Sequence, residues 1–199
     1  MAETQQQPPA DGTSAESVTD LERLFAAAEH VLARVGFRAG QTCLDFGCGH
    51  GNYAIPLARL VGPAGEVLAL DRDEAALHRL AERARRAGVE NVRTLPASGE
   101  PALPLANGSV DGALLYDVLH DHYFSPKQRT AMVEEAARVV RPGGRLSVFP
   151  RHMTDRQIAR DVVAPARRLG FEAADEHRGR LVHDDDVTEG RILTFRKAE

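Results

Sequence analysis

Cysteine is scarce in this chain: two in 199 residues, Cys43 and Cys48. Lying so close together, they make poor material for a disulfide framework, and a reducing, cytoplasmic setting is the simpler expectation. Aromatic residues are only 5% of the chain and the net charge is -4. A basic, aromatic-lined surface for nucleic acid is therefore not expected, because sequence-independent binding relies on neutralising phosphates. No apolar run approaches the roughly 18 residues of a membrane helix. No basic start followed by an apolar core opens the chain, so a secretory signal is not expected either. There is no internal repeat.

What is present is ordinary for one globular domain: 43% hydrophobic and 27% charged residues. Residues 1–17 are rich in Gln, Pro, Ala, Thr and Ser and read as a disordered tail. Residues 18–199 read as a single domain. A helix over about 18–36 places Leu21, Leu24, Phe25, Ala28, Val31, Leu32 and Val35 on one face. It serves either as a lid over a cleft or as a permanently buried cover. Strands then alternate with helices. Strands are predicted at Thr42–Phe46, Val67–Leu70, Val92–Leu95, Gly112–Tyr116 and Leu146–Phe149, and helices at about 52–60, 74–87, 126–140 and 155–169. Two closing strands follow, Phe171–Ala174 and Ile192–Arg196. Continuous apolar strands alternating with helices predict an α/β fold, a doubly wound, mostly parallel sheet covered on both faces.

The stretch Leu44-Asp45-Phe46-Gly47-Cys48-Gly49-His50-Gly51 carries most of the information. An acidic residue and three alternating glycines stand where a buried strand turns into a helix. Backbone approaches a ligand closely only where there is no Cβ. A glycine turn feeding a helix N-terminus makes a nucleotide-type site at the strand ends. The second strand ends in Asp71, about 20 positions on, placed to accept from ribose hydroxyls. Dinucleotide binding wants Gly-x-Gly-x-x-Gly, but Asn52 stands where the last glycine belongs, which disfavours an NAD-dependent oxidoreductase.

Asp45-x-Gly47-x-Gly49-x-Gly51 instead resembles motif I of the class I S-adenosylmethionine-dependent methyltransferases. Asn107-Gly108-Ser109-Val110-Asp111 before the fourth strand, and Arg141-Pro142-Gly143-Gly144 before the fifth, also resemble that family, in the right order. The resemblance covers about residues 41–197 and implies a Rossmann-like fold closed by an antiparallel edge hairpin. It implies S-adenosylmethionine as cofactor and S-adenosylhomocysteine as product. It places Gly47, Gly49 and Gly51 under the methionine part and Asp45 near its ammonium group. Asp71 would hold the ribose hydroxyls and Arg72 would flank the adenine. Ser98 stands where many relatives carry an acid for the adenine amino group. Tyr116 and Asp117 would face the methyl region.

Tyr116-Asp117-Val118-Leu119-His120-Asp121-His122-Tyr123 is dense in titratable groups at the ligand end of the fourth strand. Where the nucleophile must lose a proton, His120 or His122 is the candidate base; the alternative is that both line a polar loop. His120, Asp121, His122, His152, His183 and Asp184–Asp186 offer ligand atom types for a metal, but no pair has His-x-x-x-His spacing, and no metal is expected. Asp184-Asp185-Asp186 reads as a solvated hairpin loop. Thiol chemistry such as arsenite methylation needs several converging thiolates, and two cysteines are too few. The predicted function is methyl transfer to a small-molecule acceptor. A protein or RNA methyltransferase, and a non-catalytic cofactor-binding scaffold, are the alternatives.

Overall fold

The computed structural model describes residues 18–98 and 102–199; the expected tail over 1–17 lies outside them. The chain order is α1 (Val18–Val35), β1 (Thr42–Phe46), α2 (Ala54–Val61), β2 (Glu66–Asp71), α3 (Glu74–Arg86), β3 (Val92–Pro96) and β4 (Val110–Tyr116). It continues with α4 (Pro126–Val139), β5 (Val140–Phe149), α5 (Asp155–Ile158), a π-turn over Ala159–Val163, α6 (Ala164–Arg168), β6 (Phe171–His183) and β7 (Asp186–Lys197). The seven strands stand in the order β3-β2-β1-β4-β5-β7-β6. β1 to β5 are mutually parallel, and β7 and β6 close the edge antiparallel. The polypeptide order reverses between β1 and β4, which opens a crevice at the carboxyl ends of those strands.

Side chains alternate across a strand, so each central strand feeds two layers. Cys43, Val67, Ala69, Leu114 and Tyr116 pack toward α1 and α2. Leu44, Leu68, Leu70, Ala113, Leu115, Leu146 and Val148 pack toward α4 and α6. Both faces are dry, which is why these strands read as unbroken apolar runs. On α1, Leu24, Phe25, Ala28, Val31, Leu32 and Val35 are all buried, against α2 and the β6–β7 edge. Local signals fix several helix starts. Asp73 accepts from the Ala75 amide at α3, and Ser125 with Gln128, and Thr154 with Gln157, form capping boxes at α4 and α5.

Three departures from the sequence reading have physical causes. The sequence places Arg141-Pro142-Gly143-Gly144 outside the fifth strand, ahead of Leu146–Phe149. The chain stays extended there, and the β4–β5 pairing skips from Val140 to Arg145, leaving these residues as a bulge with Gly143 at φ +71°. The helix expected over 155–169 widens into the π-turn just before Pro165. Proline has no N–H to give the carbonyl of residue 161, and its ring crowds that carbonyl. The closing hairpin is far longer than Phe171–Ala174 with Ile192–Arg196. Its added length carries charged, mostly exposed residues such as Asp175, Glu176, Arg178 and Glu189, which show no apolar alternation. The hairpin ends in a two-residue turn, Asp184-Asp185, with Asp186 already in β7.

A buried ion pair ties the π-turn to α4. Arg129, in α4, donates to Asp161 from Nε at 2.9 Å and from Nη2 at 2.7 Å, and both side chains are almost wholly excluded from solvent. Arg129 also donates to the carbonyl of Phe124, which stands in the cavity wall described below. Breaking such a pair strands the remaining charge in a dry interior. Asp161→Ala is expected to destabilise the fold by about 3–5 kcal/mol in urea unfolding; a loss under 1 kcal/mol would mean the pair is not sealed from water.

Candidate active site

The loop after β1 is built around its glycines. The Gly47 and Cys48 amides donate to the Leu70 carbonyl at 2.8 and 3.0 Å, which draws the loop over the end of β2. Asp71 completes the turn: its Oδ2 accepts from the Gly49 amide at 2.8 Å and its Oδ1 from Asp73 at 2.9 Å. A Cβ on Gly47 would lie 2.4 Å from Val118 Cγ2, and one on Gly51 would lie 3.0 Å from Leu80 Cγ. A Cβ on Gly49 would meet nothing within 4 Å among the described residues, because it would point into open space. Packing therefore excludes a side chain at two of the three positions, while Gly49 keeps a ligand approach clear at φ +51°.

Two cavities meet at this loop. The larger, about 300 Å³, runs from Phe46, Leu70, Asp71, Arg72 and Ala97 across to Val118, His120, Tyr123, Phe124 and Met132. The smaller, about 130 Å³, lies among Asp45, Asn52, Tyr53, Tyr116, Val182 and His183. Gly47, Gly49 and Asp117 line both. Arg72 lies over the Phe124 ring at 5.7 Å. Tyr116 shares a 2.7 Å hydrogen bond with Ser147 and meets Tyr53 edge-on.

Asp45 is the electrostatic anomaly. It is 2% exposed, and its Oδ2 has no hydrogen-bond partner among the described residues. Burial, with repulsion from Asp71, pushes its pKa up from 3.8 to about 7. Burial also raises the Cys43 and Cys48 thiols far above their ordinary value, so neither supplies a thiolate.

The closing hairpin reaches back to this site. Tyr53 Oη donates to the Val182 carbonyl at 3.0 Å and accepts from the Val182 amide at 2.9 Å. At the tip, Asp185 pairs with His50 at 2.9 Å and with Arg83 at 3.6 Å. The Asp184 carbonyl accepts from Asn52. The triple-aspartate turn is thus exposed yet docked on the glycine loop, rather than merely solvated. Asp117 sits at φ +52°, in the left-handed region, and bonds His183 through Oδ2. Its Oδ1 is buried without a hydrogen-bond partner among the described residues, 3.5 Å from His152 Nε2 and 3.6 Å from His120 Nε2. Burial holds the His152 imidazole below its ordinary pKa; Asp117 opposes this, and His120 and His183 add to it.

Among the residues singled out from sequence, Asp45, Gly47, Gly49, Asp71, Arg72, Tyr116, Asp117 and His120 all front one or both cavities. Gly51 instead packs on Leu80 and Ile55. Ser98 is exposed, and its neighbour Ala97 takes the wall position. His122 is half exposed and borders an outer hollow beside Asp121 and Arg160. Tyr53 and Asn52, which hold the hairpin, carry no sequence signal beyond standing after the glycines.

The methyltransferase-domain family matches residues 43–144, from β1 to the Pro-Gly-Gly bulge. The chain belongs to the class I S-adenosylmethionine-dependent methyltransferase family. Among curated relatives, an uncharacterized 37.1 kDa protein in transposon TN4556 of Streptomyces fradiae is 32% identical over 181 residues, covering 80% of this chain and 49% of that protein. A ubiquinone/menaquinone biosynthesis C-methyltransferase of Pasteurella multocida is 35% identical over 115 residues, covering 57% of this chain and 41% of that protein. The chain thus spans about half the length of the curated relatives it matches. The crystal structure of a methyltransferase from Aquifex aeolicus shares the fold with a TM-score of 0.67 and 24% identity, over 91% of this chain and 94% of that one. The family's methyl donor suits the residues present: an unpaired buried carboxylate at Asp45, an unobstructed approach over Gly49 and a second carboxylate at Asp71.

Two outcomes check this geometry. Gly47→Ala is expected to cost more stability than Gly49→Ala, whose penalty is the roughly 1–2 kcal/mol of a left-handed alanine; equal losses in denaturant titration would contradict the Val118 collision. Between pH 4 and 7 the folded chain retains a proton on Asp45 that the unfolded chain releases, so its contribution to stability falls as pH rises. Asp45→Asn should therefore raise the melting temperature at pH 8, and the gain should vanish near pH 4. A gain independent of pH would sink that account.

Proposed function

We propose that this chain transfers the methyl group of S-adenosylmethionine to a small, largely apolar acceptor. The observation that carries the reading is the Asp45 side chain, buried in the wall of the smaller cavity with Oδ2 unpartnered among the described residues. A buried carboxylate is costly until a cation meets it, and the methionine ammonium is such a cation. Asp71 offers its remaining lone pairs to ribose hydroxyls, and Arg72 with Phe124 flanks the adenine side of the larger cavity. Tyr116 bounds the methionine end from β4. S-adenosylmethionine supplies an already activated methyl group, so the chain's task is mainly to hold an acceptor atom in line and keep water out.

His120 is the residue for removing a proton from the acceptor. Its Nε2 donates to the Asp117 carbonyl at 2.7 Å, and a carbonyl only accepts, so in the neutral ring the lone pair is on Nδ1. That Nδ1 is buried and has no hydrogen-bond partner among the described residues. The apolar stretch of the larger cavity, Phe46, Val118, Phe124 and Met132, favours a hydrophobic acceptor, in keeping with the quinone chemistry named for the Pasteurella relative. The net charge of -4 disfavours a nucleic-acid acceptor.

Calorimetric titration with S-adenosylhomocysteine, with NADH as control, tests the reading. Saturable binding of the first alone is expected, and binding of neither would overturn it. Asp71→Ala is expected to weaken that binding by about 1–3 kcal/mol, the cost of unpaired buried polar groups. Affinity should also fall as pH drops below about 7, where Asp45 takes up a proton. In a methyl-transfer assay, His120→Ala should lower the rate by about 10²–10⁴; an unchanged rate would remove it as the base.

A further inference from the structure

We infer that Asp117, His152 and His183 form a binding site for a first-row divalent transition-metal ion such as Zn²⁺ or Co²⁺. One ligand atom from each lies within 4.8 Å of the others. Asp117 Oδ1 is 3.5 Å from His152 Nε2, and His183 Nδ1 contacts the same carboxylate. Atoms sharing one ion at about 2.1 Å lie about 3.0–3.4 Å apart at tetrahedral or octahedral angles. Small side-chain rotations therefore close the set. Two imidazoles with one carboxylate suit Zn²⁺, Co²⁺ or Fe²⁺, whereas Mg²⁺ and Ca²⁺ favour all-oxygen shells.

Two further observations point to a ligand here. Asp117 Oδ1 is buried with no hydrogen-bond partner among the described residues, although the His152 and His120 imidazoles stand 3.5 and 3.6 Å from it. Asp117 is also held at φ +52°, a strained conformation that clusters at functional sites. The surroundings look like an outer coordination shell. His183 Nε2 faces Asp184 Oδ2 at 3.5 Å, the carboxylate–imidazole pairing that orients metal-bound histidines. The His152 ring is steadied by stacking on His120 at 4.6 Å. The three residues come from the end of β4, the loop after β5 and the end of β6, so an ion would staple the hairpin to the sheet.

Three protein ligands leave an open coordination position, and Asp117 fronts both cavities. Under the methyl-transfer reading that position would take an acceptor oxygen. Metal uptake does not depend on that reading, because it is measured with neither donor nor acceptor present.

The test uses tag-free protein, stripped with chelator, dialysed and titrated with Co²⁺ under visible absorption. One equivalent is expected to bind with ligand-field bands, and Zn²⁺ should displace it and raise the melting temperature. His152→Ala and His183→Ala should each weaken uptake at least tenfold, while His78→Ala on the exposed face of α3 leaves it unchanged. No saturable uptake, or uptake unaltered by His152→Ala, would overturn the site. Should His183→Ala fail to fold, His152→Ala decides alone, because that side chain is on a loop and 36% exposed. Co²⁺ uptake and S-adenosylhomocysteine binding are measured separately, so failure of one leaves the other standing.

Discussion

The chain turns at the end of β1 in a space that admits almost no side chains. Val118 closes it from β4's side, Ile55 and Leu80 from the helices, and the Leu70 carbonyl pulls two loop amides down from β2. Every functional placement depends on that compression. It puts the Gly49 amide on Asp71, drops Asp45 into the sheet with one oxygen unpaired, and leaves a clear face above Gly49 between the two cavities. A bulkier loop would separate β1 from β4 and close the crevice that the strand order creates.

The parallel half of the molecule was legible because its information is local. Apolar runs name the buried strands, capping residues name helix starts, and Asp45, the glycines and Asp71 are fixed by their distance from a strand end. Asn52 in place of a last glycine was enough to separate two nucleotide-type readings. What escaped is what depends on contacts between distant residues. Ser98 was placed by counting along a loop, but a one-residue difference puts Ala97 in the wall. Gly51 belongs to the motif yet serves packing against Ile55 and Leu80. His120 and His122 are alike in sequence, and only the turn after β4 sends one toward the cavity and the other outward.

The hairpin was the hardest element to foresee. Much of its length bears charges, because an edge ribbon beyond the core needs no apolar alternation and charged edges discourage pairing with other chains. Its tip is nonetheless specific. Asp185 meets His50 and Arg83, Asn52 holds the Asp184 carbonyl, and Tyr53 grips both backbone groups of Val182. Asp117 and His183, 66 positions apart, become neighbours only through that docking. The sequence marks each separately, Asp117 at the end of the fourth strand and His183 beside the aspartate turn, but no spacing rule joins them as a pair.

That docking also imposes an order on assembly. Residues 42–149 can build the parallel sheet and its glycine loop from contacts of moderate sequence separation. The smaller cavity gains its outer wall only when residues near 182–185 return to residues near 50–53, some 130 positions away. Closing so long a loop is entropically costly, and synthesis delivers this segment after the parallel sheet. On a ribosome the ligand crevice would therefore stand open on one side until β6 and β7 have both emerged, and any premature stop before β7 would leave the sheet without the wall that encloses Asp45.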